Sequence, residues 1–256
     1  MGYKTIVVEK KNHVGILTLN RPEKLNTLNF QLYKEIVSGL LTLEHDDEVH
    51  VIVIKANGRA FCAGGDISEP TSSPFERHQD KRFARLSMAI ANMHKPVIAA
   101  VHGAATAGGC GLALSCDLVI ASEDAKFGVT AINAGLFCFG PAVPLSRSVG
   151  RKKSLELLLT GDIIKSEEAF RIGMVNQIVP QEKLHETAME LAEKLAVKSP
   201  AALQMGKESF YAMADMEYEK ALDYSEKMIA ILSSTEDAEE GINAFLEKRK
   251  PQWKKR

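Results

Sequence analysis

Apolar and polar positions along this chain follow two periods, one early and one late. Ile6-Val7-Val8 and Val14 to Leu19 are β-rich and are separated by the polar stretch Lys10 to His13, which predicts a hairpin. Asn20-Arg21-Pro22 breaks the second strand. Leu25, Leu28, Leu32, Ile36 and Leu40 then recur at helical spacing through Leu43. A second unit predicts a strand over Val49 to Ile54, a Gly/Ala loop from Asn57 to Asp66 and a polar stretch with Pro70 and Pro74. Its helix carries Phe83, Leu86, Ile90 and Met93. A third unit predicts a strand over Val97 to Val101, a loop from Gly103 to Gly109, a short helix to Cys116 and a strand over Leu118 to Ala121.

From Gly150 onward the period is helical. Helices are predicted near Lys152 to Leu159, Ser166 to Ile172 and Gln181 to Val197. Others run from Pro200 to Met213, Glu217 to Leu232 and Ser233 to Lys248, the last opened by a capping box of Ser233 with Glu236. Strands interleaved with helices, then helices alone, predict an α/β core with a helical C-terminal part. One compact domain without a functional boundary is the alternative.

Composition narrows the function classes. The 256 residues are 45% hydrophobic and 25% charged, enough to bury a core without disulfides or metals. A net charge of −1 makes no case for nucleic acid or an anionic membrane. No apolar run is long enough to span a bilayer, and Met1-Gly2-Tyr3-Lys4 opens no signal pattern. Cys62, Cys110, Cys116 and Cys138 form no C-x-x-C pair and have no His at zinc spacing, so no metal is expected. Cys62, Cys110 and Cys116 lie in apolar or small-residue stretches and read as reduced, packed thiols of a cytoplasmic protein.

Two loops share one design: each follows a buried strand, is built of Gly and small residues, and leads towards a helix. They are Arg59 to Asp66 and His102 to Gly111. Glycine permits positive φ and close approach of another molecule to the backbone. A helix N-terminus adds unpaired N–H groups and partial positive charge. Two such turns facing each other place two donors on one oxygen, which favours an oxyanion or enolate. Neither loop matches the phosphate-binding G-x-x-x-x-G-K-[ST] pattern, and the first lacks the dinucleotide-binding spacing.

Several segments carry a family resemblance. They are Val14 to Leu28, Phe61-Cys-Ala-Gly-Gly-Asp-Ile67, Ala107 to Asp117, Ala125-Lys-Phe-Gly128, Leu159-Thr-Gly-Asp162, Ala169 to Val175 and Phe245 to Pro251. In this order the chain resembles the enoyl-CoA hydratase/isomerase, or crotonase, superfamily from about Ile6 to its C-terminus. The resemblance implies an α/β spiral of ββα units over residues 1–196. It also implies a helical C-terminal trimerisation region over 197–256, with trimers often paired into hexamers, the whole forming one functional unit. It implies coenzyme A as part of the substrate and no permanently bound cofactor. The oxyanion-hole amides would be those of Gly65 and Gly108. Lys24 and Leu25 would lie along the adenine and pantetheine, and Ala63, Asp66 and Ile67 would border the substrate. Thr130, Asn133, Phe137, Cys138 and Phe139 would line the acyl pocket. The basic tail, with six Lys or Arg in the last nine residues, would help hold CoA phosphates or be a solvated terminus.

The chain also departs from that family. Hydratases of the family carry two glutamates that activate water; at those positions stand Gly111 and Ala131. The acid that some relatives place further on falls at Phe139. Glycine, alanine and phenylalanine transfer no protons, and positioned acid/base groups contribute roughly 10²–10⁴-fold each. Asp66 reads as a loop cap and His102 as a structural imidazole. Cys138 reads as lining, since no sequence neighbour would activate a thiol. Glu69, Glu76, His78 and Asp80 read as a solvated lid or linker over the acyl group. The expectation is an acyl-CoA enzyme working through an enolate or oxyanion without the usual hydratase pair. The alternatives are a decarboxylase, a thioesterase or a non-catalytic acyl-CoA binding protein.

Overall fold

Residues 2–69 and 81–254 are described by the structure, a computed structural model. Its strands are β1 (Ile6–Lys11), β2 (Val14–Leu19), β3 (Val51–Ala56), β4 (Val97–Val101), β5 (Ala104–Thr106), β6 (Leu118–Ser122), β7 (Lys126–Gly128), β8 (Ile163–Lys165) and β9 (Gln177–Val179). Its helices are α1 (Phe30–Glu44), α2 (Arg82–Ala91), α3 (Gly108–Ser115), α4 (Phe139–Ser148), α5 (Arg151–Thr160), α6 (Ser166–Arg171), α7 (Leu184–Ala196), α8 (Pro200–Ala214), α9 (Tyr218–Ser233) and α10 (Glu236–Leu246).

The β1–β2 hairpin is antiparallel, and the larger sheet continues in parallel with the order β1-β2-β3-β4-β6-β9. Every residue of β2 and of β4 is buried. Parallel strands covered on both faces read as continuous apolar runs, which is how these segments read. One face carries Leu17, Leu19, Ile52 and Ile54 against Leu32, Ile36 and Leu40 of α1 and Leu86 and Ile90 of α2. The other carries Val14, Ile16, Val51, Val53 and Ile98 against Leu184, Ala188 and Ala192 of α7.

A second sheet pairs β5 with β7 in parallel and β7 with β8 antiparallel. Ala60 and Cys62 bridge to Gly103 and Ala105, so the segment after β3 stands beside β5 as β5 stands beside β7. Successive turns of the chain thus add one strand to each sheet, which makes the architecture a spiral.

Several predicted boundaries move. The first helix begins at Phe30, not near Leu25, because Leu25 and Asn26 have φ of 51° and 53° and complete a turn over Pro22–Lys24. Asn29 is the N-cap and accepts from the Leu32 amide at 2.8 Å. The cap of α10 is Thr235, which accepts from the Ala238 amide; Ser233 ends the preceding helix. The predicted strand over Val49 to Ile54 sits two residues later, at β3. Helix α4 is unforeseen, since Gly140, Pro141 and Pro144 read as breakers. The three-residue strands β5, β7, β8 and β9 are too short for a periodic signal.

The C-terminal helices divide in two. Helix α8 is anchored by Lys207, whose side chain is 7% exposed. Its Nζ donates to Asp117 Oδ2 at 2.7 Å and to the carbonyls of Ile90 and Lys95 at 2.9 and 3.1 Å. The Tyr211 hydroxyl donates to Asp117 Oδ1 at 2.9 Å. Helix α9, in contrast, buries no residue, and Tyr218, Phe245 and Leu246 are exposed.

Candidate active site

The two Gly-rich loops meet edge to edge. Phe61 N donates to His102 O at 2.9 Å, Cys62 N to Ala104 O at 3.0 Å and Thr106 N to Cys62 O at 3.0 Å. On its other side the first loop pairs with the turn before α1. Ala63 N donates to Leu25 O at 3.0 Å, Leu28 N to Gly64 O at 2.7 Å and Asp66 N to Leu28 O at 3.1 Å. Backbone groups in an extended segment alternate in direction. With Gly64 O and Asp66 N committed to Leu28, the Gly65 amide faces the opposite side, where the second loop lies. Gly65 is exposed, and a β-carbon added to it would meet nothing within 4 Å.

Gly108 opens helix α3. The point that a Gly108 β-carbon would occupy is 3.8 Å from the Gly64 carbonyl carbon and 3.6 Å from the Tyr33 hydroxyl. Among the described residues no group accepts a hydrogen bond from the amide of Gly65 or of Gly108. Close packing demands glycine beside them: a β-carbon on Gly109 would lie 2.0 Å from the Cys62 carbonyl oxygen. Ala107, the residue before the helix, has φ 46° and ψ −117°. Its amide donates to Gly128 O at 2.7 Å and its carbonyl accepts from Gly111 N at 3.1 Å. Two unpaired amides beside a helix N-terminus are suited to a developing negative charge on oxygen.

Of the positions read as lacking carboxylates, Gly111 is closed in by other groups. A β-carbon on Gly111 would lie 2.5 Å from Phe83 Cζ and 2.9 Å from Pro141 Cγ, and one on Gly140 would lie 2.6 Å from Phe83 Cδ1. The Phe83 ring is therefore held between α3 and α4, where a side chain from residue 111 would have to go. Ala131 packs part-buried against the main core within the turn Thr130–Ala134.

The remaining predicted residues distribute unevenly. Lys24 is exposed and Leu25 part-buried at the end of the turn that pairs with the first loop. Ala63 is part-buried, and Ile67 is 99% exposed. Asp66 is tied down: Oδ1 accepts from the Ser68 hydroxyl at 2.6 Å and Oδ2 from Arg21 at 3.0 Å. The Ser68 hydrogen bond above all, with help from Arg21, holds its carboxyl down at about 2. Thr130 is part-buried, and Asn133 is exposed and donates to Gly161 O at 3.3 Å. Cys138 is buried, and burial pushes its thiol up. The Phe137 and Phe139 rings lie 4.9 Å apart, but Phe139 is 77% exposed at the start of α4. His102 meets Gly58 O at 2.8 Å through Nε2.

Glu69 accepts from the Phe30 amide at 2.6 Å and pairs with Arg82 at 2.7 Å, so it joins the starts of α1 and α2. Pro70, Pro74, Glu76, His78 and Asp80 lie outside the described residues, as do Lys255 and Arg256 of the tail. Elsewhere in the tail, Arg249 pairs with Glu240, and Trp253 Nε1 donates to Val197 O at 2.8 Å. All four cysteines are free and buried. No helix among the described residues is long and apolar enough to cross a membrane.

Sequence reasoning missed Tyr33 and the position of Phe83. Tyr33 and Val37 are four apart and flank the Leu32–Ile36–Leu40 stripe, the one sign that a second face of α1 is in use. Phe83 read as core in its helix, and only the packing of α3 against α4 shows what it displaces.

Residues 9–256 match the enoyl-CoA hydratase/isomerase family, and the chain belongs to it. It is similar to a protein of Rhizobium meliloti (strain 1021) named "Probable enoyl-CoA hydratase", with 39% identity over 257 residues that cover 100% of each chain. The crystal structure of enoyl-CoA hydratase from Mycobacterium smegmatis matches with a TM-score of 0.91 and 39% identity over 98% of this chain and 99% of that one. Human enoyl Coenzyme A hydratase domain-containing protein 3 matches with a TM-score of 0.92 and 35% identity over 98% of this chain and 100% of its own. The fold is the crotonase-like α/β spiral.

Proposed function

We propose that this chain is an acyl-CoA enzyme that holds a thioester carbonyl between the amides of Gly65 and Gly108 and stabilises the enolate or oxyanion formed there. The observation that carries the reading is the unpaired state of both amides where the two loops meet. One such donor is typically worth about 3 kcal/mol of barrier. Coenzyme A enters as part of the substrate, with Lys24 and Leu25 along it and Thr130, Asn133, Phe137, Cys138 and Phe139 beside the first carbons of the acyl group. Asp66 acts as a clamp on the first loop.

Hydration by the two-glutamate route does not suit this site. Gly111 and Ala131 carry no acid, and Phe83 fills the space beside Gly111. That favours reactions in which the hole does most of the work. In a decarboxylation the C–C bond breaks, CO₂ leaves and its electron pair becomes the enolate, which then takes a proton from water. In a thioester hydrolysis, water adds to the carbonyl and the thiol of CoA leaves. A chain that binds acyl-CoA without turnover is the reading from a different class.

Residues 1–196 and 197–256 form one functional unit in this proposal. Helix α9, which buries no residue and exposes Tyr218, and helix α10, which exposes Phe245 and Leu246, support self-association as a trimer or a pair of trimers. A cytoplasmic place in fatty acid metabolism, away from membranes and nucleic acid, suits the near-zero net charge.

The test is incubation with crotonyl-CoA, malonyl-CoA and a saturated acyl-CoA, followed by mass spectrometry of the products. Conversion of malonyl-CoA or of the saturated thioester is expected. Rapid hydration of crotonyl-CoA overturns the argument from Gly111 and Ala131. Binding of all three with conversion of none assigns a non-catalytic role.

A further inference from the structure

A pocket opens beside the proposed hole, between the first turns of α1 and α2. It has a volume of about 290 Å³ and is lined by Phe30, Tyr33, Lys34, Val37, Arg82 and Arg85. Tyr33 belongs to both places: its ring forms a wall of the pocket, and its hydroxyl lies 3.6 Å from the point a Gly108 β-carbon would occupy. Ligand pockets usually measure about 300–1,000 Å³. This one lies at the bottom of that range, too small for a whole CoA thioester and suited to an acyl chain.

The walls and the rim differ in chemistry. Phe30, Tyr33 and Val37 are apolar surface, and the long stems of the three cationic residues add to it. Arg82 is already engaged, paired with Glu69 at 2.7 Å and seated 5.3 Å from the Phe30 ring centroid. Lys34 and Arg85 are exposed, and among the described residues neither has a carboxylate partner. Among the described residues the lining holds three cations and no acid. An uncharged acyl chain would gain nothing from those charges. A chain with an anionic far end would satisfy them while its methylenes cover the apolar wall.

We propose that this pocket receives an acyl chain ending in a carboxylate, so that the substrates are CoA thioesters of dicarboxylic acids, read at their far end by Arg85 and Lys34. The proposal rests on the acyl-CoA reading of the hole. The same cations could instead meet the phosphates of CoA, which are anions from the other end of the same ligand, and the experiment separates the two.

Calorimetry on the full chain would compare glutaryl-CoA, its terminal methyl ester and free CoA, at low and moderate salt. The charged thioester is expected to bind about tenfold tighter than the neutral ester, in the range of charge-assisted hydrogen bonds, with a preference that shrinks as salt rises. The K34Q/R85Q variant changes exposed side chains only. It should bring the two thioesters to parity and leave free CoA unchanged. Equal affinity of the charged and neutral thioesters in the unmodified protein overturns the proposal. So does a variant that weakens free CoA as much as glutaryl-CoA, since the cations would then serve the phosphates. If no thioester and no CoA binds, the acyl-CoA reading itself falls, and this proposal falls with it.

Discussion

The ring of Phe83 occupies the space that any side chain on Gly111 would need, with Cζ 2.5 Å from the position of the missing β-carbon. One glycine and one phenylalanine thus share a volume that cannot hold both a ring and a carboxylate. Gly111→Glu alone should destabilise by overpacking, about 1–3 kcal/mol, read as a drop in Tm. In a Phe83→Ala background the same change should cost less, and hydration of crotonyl-CoA should still need Ala131→Glu in addition. An unchanged Tm for G111E would show that the ring does not stand where the structure places it.

Recognition of the carbonyl can be tested without altering the chain. A thioether analogue of an acyl-CoA lacks the C=O group but keeps the rest of the ligand. Hydrogen bonds of this kind are worth about 0.5–1.5 kcal/mol net each. With two such bonds the thioester should therefore bind about 5- to 150-fold more tightly than the thioether in a competition assay. Equal affinities would remove the amides of Gly65 and Gly108 from the binding argument.

Much of this was legible in the residues, and the reasons differ by element. The buried parallel strands β3 and β4 stand out because both faces are covered, leaving no polar alternation to confuse them. The two Gly-rich loops stand out because close backbone packing excludes every other residue, as Gly109 against Cys62 shows. The start of α1 was not legible, since Leu25 and Leu28 fit the helical stripe yet belong to a turn and a bridge. Tyr33 and Phe83 were hidden for another reason. Their roles depend on which elements meet, and periodicity within one helix carries no information about that.

Lys207 joins helix α8 to the core through a part-buried ion pair with Asp117 and two carbonyls. Removing one partner strands the other, at a cost of up to about 3–5 kcal/mol. Lys207→Met should lower the unfolding free energy obtained from urea titration by that amount, and D117N/K207M should cost less than the two single changes added together. Strict additivity would mean the two side chains do not interact.

The Asp66 clamp gives stability a signed dependence on acid. Its carboxyl is lowered from 3.8 to about 2, first by the Ser68 hydrogen bond and then by Arg21. A depressed folded value contributes stability that is fully present above the unfolded value and is lost as pH falls through the folded one. Asp66→Asn should therefore lower Tm at neutral pH, and the gap from the unmodified protein should close between pH 4 and pH 2. A gap that stays constant over that interval would assign the loss to packing instead of charge.

Ala107 holds a conformation that a tight turn normally reserves for glycine, and such a backbone costs on the order of 1–3 kcal/mol. An easier residue at that point would relax the chain, and the relaxation would be felt first at the amide that follows. Firmness of the fold and aim of its reactive edge are therefore opposed at this one position. If the proposed hole is at work, sequence changes that make the molecule hardier there should weaken its grip on a thioester oxygen.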